Sequence, residues 1–160
     1  MTSSKILFVC MGNICRSPAA EGVMQKLLKD RGLENQIELD SAGTISYHAG
    51  KPADPRMRQA AEARGYQLTS RSRPIGSADL QQFDWVIAMD RENLADIQGL
   101  AKKGSTAVIR LLSHYLSDQW PADTPDPYYG GDEGFEYVLD MIEAACPPLL
   151  EEVLQETSAK

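Results

Sequence analysis

The sequence predicts an α/β fold, a single doubly wound domain with a central four-stranded parallel sheet flanked by helices on both faces. Three observations predict it. Short apolar runs rich in β-formers alternate with helical segments along the whole chain. Pro and Gly stand where helices start and stop. The runs at Lys5 to Val9 and Trp85 to Ala88 are short and largely apolar, as strands covered on both sides are.

In order, Lys5 to Val9 reads as a buried strand. Ser17-Pro18 opens a helix, with Ser as N-cap and Pro at the first helical position, where its missing N–H would be unpaired anyway. Val23, Leu27 and Leu28 mark the buried face, and Gly32 fits the stop. A second strand runs near Ile37 to Ser41, followed by a loop through Gly43, Gly50 and Pro52. Asp54-Pro55 starts a helix that continues through Ala60 and Ala63 to Gly65. Trp85 to Ala88 is a third strand, and Asp90 begins a helix containing Leu94 and Ile97. Val108 to Leu112 supplies the fourth strand. A polar, Pro-rich stretch from Ser113 to Glu133 leads to a final helix over Phe135 to Gln155, with Val138, Leu139 and Ile142 facing inward. Strands separated by helices imply right-handed crossovers and a parallel sheet. With no repeat, linker or low-complexity tract, residues 1–160 read as one domain whose last few residues are disordered.

The composition is globular, with 42% hydrophobic and 24% charged residues. A net charge of −7 argues against nucleic acid or an anionic membrane as partner, so any anion site must be made locally. The apolar run Ile6 to Met11 is too short to span a membrane or form a signal core, and a cytoplasmic location is expected. Three cysteines, Cys10, Cys15 and Cys146, are an odd number and no disulfide framework. No metal is expected, because Cys10 and Cys15 lack a second Cys or His pair at ligand spacing and His48 and His114 stand apart.

In a doubly wound sheet, ligands bind beyond the carboxyl ends of the strands. The loop after the first strand reads Cys10-Met11-Gly12-Asn13-Ile14-Cys15-Arg16-Ser17. A strand–loop–helix unit presents unpaired N–H groups at a positive dipole end, which suits a dianion. Gly12 and Asn13 tolerate the left-handed backbone that an anion cradle requires. The same donors and the Arg16 fork would stabilise negative charge on a sulfur at the mouth. The Ser17 hydroxyl can donate to that sulfur or cap the helix. Taken singly, a Cys after a strand is usually a small buried hydrophobe, and Arg and Ser at a helix start usually cap or face solvent. Cys and Arg in this spacing and context, with Ser next, carry much more. No Walker-type phosphate loop is present.

That loop resembles the signature loop of the low-molecular-weight protein-tyrosine phosphatases. The resemblance extends through Asp40-Ser41-Ala42-Gly43-Thr44, Asp54-Pro55-Arg56, Ala88-Met89-Asp90 and Asp126-Pro127-Tyr128-Tyr129-Gly130. It implies that Cys10 is the nucleophile, Arg16 the phosphate clamp and Asp126 the general acid, with Met11, Gly12, Asn13, Ile14, Cys15 and Ser17 around the phosphate. Ser41 would support the loop, Tyr47, Tyr128 and Tyr129 would wall the pocket, and no cofactor would be needed. Chemistry asks for a proton donor too, since expelling an aryl oxygen from phosphorus is easier when an acid protonates it. Read alone, Asp126-Pro127 favours a plain turn, and Tyr47 is as readily ordinary surface packing.

Tyrosine-phosphorylated proteins, and a cognate tyrosine kinase, are the partners this implies. Ile14 stands where related protein-arginine phosphatases carry Thr, which leans toward phosphotyrosine. Arsenate reductase on the same fold needs further cysteines in a mobile segment, and Leu80 to Asp90 has none. A non-catalytic phosphopeptide-binding module would need neither Cys10 nor Asp126. Ser70 takes the place of a His that many family members use to support the loop, leaving open how Asn13 and Ser41 are held. Cys15 is either buried filler or a partner that protects oxidised Cys10 as a disulfide.

Overall fold

The two inner strands, Ser4–Cys10 and Trp85–Ala88, are apolar runs covered on both faces, and the edge strands, Ile37–Gly43 and Val108–Leu111, are only partly buried. A computed structural model describes residues 4–102 and 104–158; the side chains of residues 129, 157 and 158 lie outside that description. In chain order the elements are β1 (Ser4–Cys10), α1 (Arg16–Asp30), β2 (Ile37–Gly43), α2 (Pro55–Ala63), α3 (Asp79–Gln82), β3 (Trp85–Ala88), α4 (Arg91–Leu100), β4 (Val108–Leu111) and α5 (Asp132–Ser158). All pairings are parallel, and the strand order is β2-β1-β3-β4. Among the described residues no helix is long and apolar enough to cross a membrane.

Successive residues of β1 serve opposite layers. Ile6, Phe8 and Cys10 join Met24 and Leu28 of α1 and Val138, Leu139 and Ile142 of α5. Leu7 and Val9 join Val86, Leu80 and Ile97 on the other face. Fully burying each large apolar side chain contributes about 1.5–3 kcal/mol, which fixes the strand against a one-residue slip. The order reverses at β1, because the chain steps to β2 on one side and returns to β3 on the other. The loops after β1 and β3 therefore diverge, leaving a crevice at the carboxyl edge.

Two helix starts follow their caps. The Asp54 side chain accepts from Arg56 N at 2.8 Å, and Asp90 accepts from Asn93 N at 2.7 Å. The start of α1 corrects the sequence reading. It begins at Arg16 with Cys15 at the cap position, so Ser17 and Pro18 fall inside the first turn and Ser17 is not the cap. Its hydroxyl is committed to the loop instead, and Pro18 still removes only an N–H that no turn precedes. β2 runs two residues beyond Ser41 because Ala42 and Gly43 pair with Val9 and Cys10. The short α3 was not anticipated, being too brief to show a period. The polar stretch holds two 3-10 turns, Leu112–Tyr115 and Pro127–Tyr129. Helix α5 starts before Phe135 and runs through Pro147-Pro148 to Ser158. The disordered tail expected at the end falls on residues 159–160, outside the described residues.

Candidate active site

The loop between β1 and α1 is shaped by where its carbonyls go. Cys10 O accepts from Thr44 N at 2.9 Å, Met11 O from Ile45 N at 3.1 Å and Ile14 O from Asp54 N at 2.8 Å. Gly12 O accepts from the Ser72 hydroxyl at 2.9 Å. With the carbonyls bonded outward to neighbouring loops, the N–H groups of Met11, Gly12, Ile14 and Cys15 have no protein acceptor among the described residues. They form a bowl of donors at a helix N-terminus. Asn13 makes the turn possible with a left-handed φ of 57°, a region that Asn enters more easily than most residues. Gly43 lets β2 approach closely, since a Cβ there would lie 2.7 Å from Met11 O.

Cys10 closes the floor. Its Sγ accepts from Asn13 N at 3.2 Å and lies 3.1 Å from the Ser17 hydroxyl. That hydroxyl also accepts from Asn13 Nδ2 at 2.8 Å, and its own proton is shared between the nearer sulfur and Ala42 O at 3.5 Å. Asn13 Oδ1 in turn accepts from Arg73 N at 3.0 Å. Asn13 and Ser17 are thus buried beneath the bowl, bonding its parts together rather than lining it.

Arg16 is only 2% exposed. Its Nη1 donates to Asp90 Oδ2 at 2.6 Å and to Thr124 O at 3.0 Å, and Nη2 lies 3.7 Å from Asp126 Oδ2. Burial works against its charge, but Cys10, Asp90 and Asp126 outweigh it and hold the guanidinium pKa above the ordinary arginine value. Burial first, then Asp54 and Cys10, push the Cys15 thiol far up, which keeps it protonated.

Asp126 makes a turn and also faces the pocket. One carboxylate oxygen caps the Pro127–Tyr129 turn by accepting from Tyr128 N at 3.0 Å, while the carboxyl group reaches the pocket beside Arg16. Thr124 N donates to Met89 O at 2.9 Å, tying this loop to the end of β3. From the other side, Arg56 holds it. The guanidinium donates to Asp54 from Nε at 3.2 Å and Nη2 at 3.0 Å, and to Tyr128 O at 3.0 Å. It also lies over the rings of Tyr128 and Phe135. Because Asp54 N bonds Ile14 O, a continuous strut joins the sulfur loop to the Asp126 loop.

These parts enclose a pocket of about 450 Å³ lined by Cys10, Met11, Gly12, Ile14, Cys15 and Arg16 below, and by Ile45, Tyr47, His48, Asp126 and Tyr128 above. Tyr47 is 81% exposed and stands at the rim, edge-on to His48 at 4.8 Å between ring centres. His48 packs over Gly12 and against Tyr128. The side chain of Tyr129 lies outside the described residues. Ser41 departs from expectation: its hydroxyl donates to Glu21 at 2.7 Å, not to the loop. The Ser70 hydroxyl, at the position that could have carried a supporting His, instead helps to lower the pKa of this carboxylate.

Sequence reasoning did not assign Asp90, Thr124, His48, Ile45 or the Arg56 strut to the site. Asp90 alone had a usable signal, since it follows the strand adjacent to β1 and so shares its carboxyl edge.

The sequence model described as low molecular weight phosphotyrosine protein phosphatase matches residues 5–159. A putative low molecular weight protein-tyrosine-phosphatase of Synechocystis is 43% identical over 147 residues, covering 91% of this chain and 94% of that protein. A protein tyrosine phosphatase of Entamoeba histolytica, solved with Hepes in its active site, superposes with a TM-score of 0.92 at 42% identity, covering 97% of this chain and 99% of that one. A Drosophila arginine phosphatase superposes with a TM-score of 0.88 at 32% identity, over 93% and 97% of the two chains. With likeness of this depth running from one end of the chain to the other, the protein belongs to the low molecular weight phosphotyrosine protein phosphatase family.

Proposed function

We propose that this chain hydrolyses phosphotyrosine monoesters on proteins through a phosphocysteine intermediate, acting as one domain. The observation that carries the reading is the sulfur of Cys10 receiving two donors at the floor of a bowl of free N–H groups, with Arg16 and Asp126 at its wall. Phosphate oxygens would take the N–H groups of Met11, Gly12, Ile14 and Cys15 and the Arg16 fork, which stay matched as the equatorial oxygens spread. The Cys10 thiolate attacks phosphorus in line, the bond from phosphorus to the tyrosine oxygen breaks, and the Asp126 carboxyl gives that oxygen its proton. Water then attacks phosphorus and loses a proton to the Asp126 carboxylate. The phosphorus–sulfur bond breaks, releasing inorganic phosphate and the thiolate, to which Ser17 donates. The chain's own groups cover every proton and electron pair. Tyr47, Tyr128 and Tyr129 are read as aromatic walls for the tyrosine ring. Tyrosine-phosphorylated proteins, with a cognate tyrosine kinase acting before the phosphatase, are the partners this reading names, and three free, buried cysteines fit a cytoplasmic setting.

Hydrolysis of an aryl phosphate in the presence of chelator tests it. The parent should be active and Cys10→Ser inert. Asp126→Asn should lose about 10²–10⁴-fold with poor leaving groups and much less with good ones. Activity abolished by chelator, or retained by Cys10→Ser, would overturn the reading. The likeness to an arginine phosphatase raises a second substrate. Ile14 at the pocket wall favours the apolar aryl ester, so a phosphotyrosine peptide should be turned over faster than its phosphoarginine counterpart.

A further inference from the structure

The pocket opens between two lips of opposite charge. Residues 44–73 carry six Lys or Arg and two Asp or Glu, in a chain whose net charge is −7. Residues 113–137, which contain the Asp126 loop, carry six Asp or Glu and no Lys or Arg. Three cations of the basic segment are committed: Arg56 to Asp54, Arg64 to Glu136, Asp140 and Glu143, and Arg73 to Asp40 and Asp79. The other three, Lys51, Arg58 and Arg71, are exposed and make no ion pair among the described residues.

These three are gathered by one stretch of backbone. Arg71 Nη1 donates to Gly50 O at 3.0 Å, Arg58 Nε donates to Ala53 O at 3.0 Å, and Lys51 stands between. The stretch is half of a small antiparallel ribbon. Pro52 bridges Arg71, Gly50 N donates to Ser72 O, and Ser72 N donates to Lys51 O, both at 2.8 Å. The ribbon is fastened to the site at two points: the Ser72 hydroxyl holds Gly12 O, and Lys51 N bonds the carbonyl of His48, whose ring lines the pocket. The cations are therefore fixed in relation to the phosphate bowl, with most of their donors facing outward. Lys29, on α1, and Lys102, just after α4, also make no ion pair among the described residues but lie outside this ribbon. A lone exposed cation is ordinary solvated surface; three held together beside the mouth, against the charge of the whole molecule, are an anion-attracting surface.

We propose that Lys51, Arg58 and Arg71 form a docking lip for acidic side chains that flank the phosphotyrosine of a protein substrate, and that the acidic loop opposite repels those side chains, so that the substrate chain lies across the mouth in one direction. The proposal rests on the phosphatase reading and names the substrate class for it. Each exposed ion pair is worth about 1.5- to 5-fold, so two or three together give a preference of about tenfold.

The test compares kcat/KM for two phosphotyrosine peptides, one with Asp and Glu around the phosphotyrosine and one with Ser and Gln in those places, alongside a small aryl phosphate. The parent should favour the acidic peptide about tenfold at low salt, through KM, and the preference should shrink as ionic strength rises and the Debye length falls below about 10 Å. Lys51→Glu/Arg71→Glu, shown to be folded by its melting temperature, should lose or invert the preference. Lys29→Glu/Lys102→Glu, which changes the net charge equally from outside the ribbon, should keep it. No preference in the parent, a preference that survives Lys51→Glu/Arg71→Glu, or one abolished equally by Lys29→Glu/Lys102→Glu would overturn the docking lip. A parent inert toward the aryl phosphate as well would instead overturn the phosphatase reading.

Discussion

Asn13 shows how much one side chain can settle. Gly would accept the left-handed backbone more cheaply, but it could not bond Ser17 on one side and Arg73 N on the other. Backbone tolerance was legible in the sequence; the two partners were not, because one lies 60 residues away. Glu21 makes the same point. It sits one turn beyond Ser17, where a helix pattern marks it as ordinary surface, yet the fold half-buries it against Ser41 and Ser70. Burial raises its pKa, and Asp40 adds to this, while the hydroxyls of Ser41 and Ser70 and the charge of Arg73 oppose. The folded pKa lies above the unfolded one, so its contribution to stability is full below the ordinary Glu range and is lost as pH rises through the folded value. Glu21→Gln keeps an acceptor for Ser41 without the charge. Its melting temperature should match the parent near pH 4 and exceed it near pH 8. Parallel melting curves across that range would show that the carboxylate is not strained by its surroundings.

At the scale of elements, helix caps were readable where one side chain does one thing. Asp54 and Asp90 cap α2 and α4 as their positions predict. Ser17 misled because its hydroxyl has competitors from other elements, and the loop wins it. The acid loop adds a device that no local pattern could reveal. Arg56 reaches from α2 to Tyr128 O, two residues past Asp126, while its Asp54 partner is bonded to Ile14 O. Burial pulls the Asp54 pKa upward, but hydrogen bonds from Arg56 outweigh it and hold the carboxyl below its usual range, so the pair stays charged at neutral pH. If the strut places the general acid, Arg56→Ala should lower kcat by about tenfold for poor leaving groups and little for good ones, a smaller version of the Asp126→Asn pattern. Arg56→Lys should behave like the Ala variant, since a single ammonium cannot grip Asp54 with two nitrogens and Tyr128 O as well. A loss of equal size for every leaving group would mean that Arg56 supports the fold and not the acid.

At the scale of the whole molecule, sheet order and core were the most legible features, because an alternation of buried strands and helices leaves few topologies open. The last helix is where local rules and global packing disagree. Pro147 and Pro148 each lack an N–H, so two backbone bonds are missing inside α5, and propensity alone would end the helix there. It continues to Ser158 with Leu149, Leu150 and Val153 fully buried against the layer that also contains Phe8 and Met24. Packing therefore holds the C-terminal half of α5, and its loss should be felt as a core defect far from the pocket. Leu149→Ala removes buried methyl groups at the point where the helix has least backbone support, so urea unfolding should show a loss of about 2–5 kcal/mol. The folded fraction should keep its aryl phosphate turnover. Leu27→Ala, at a half-buried position on α1, should cost clearly less. A Leu149→Ala variant that loses under about 1 kcal/mol would mean that the helix after the two prolines stands on its own propensity, because a side chain carrying that segment by burial cannot be truncated so cheaply.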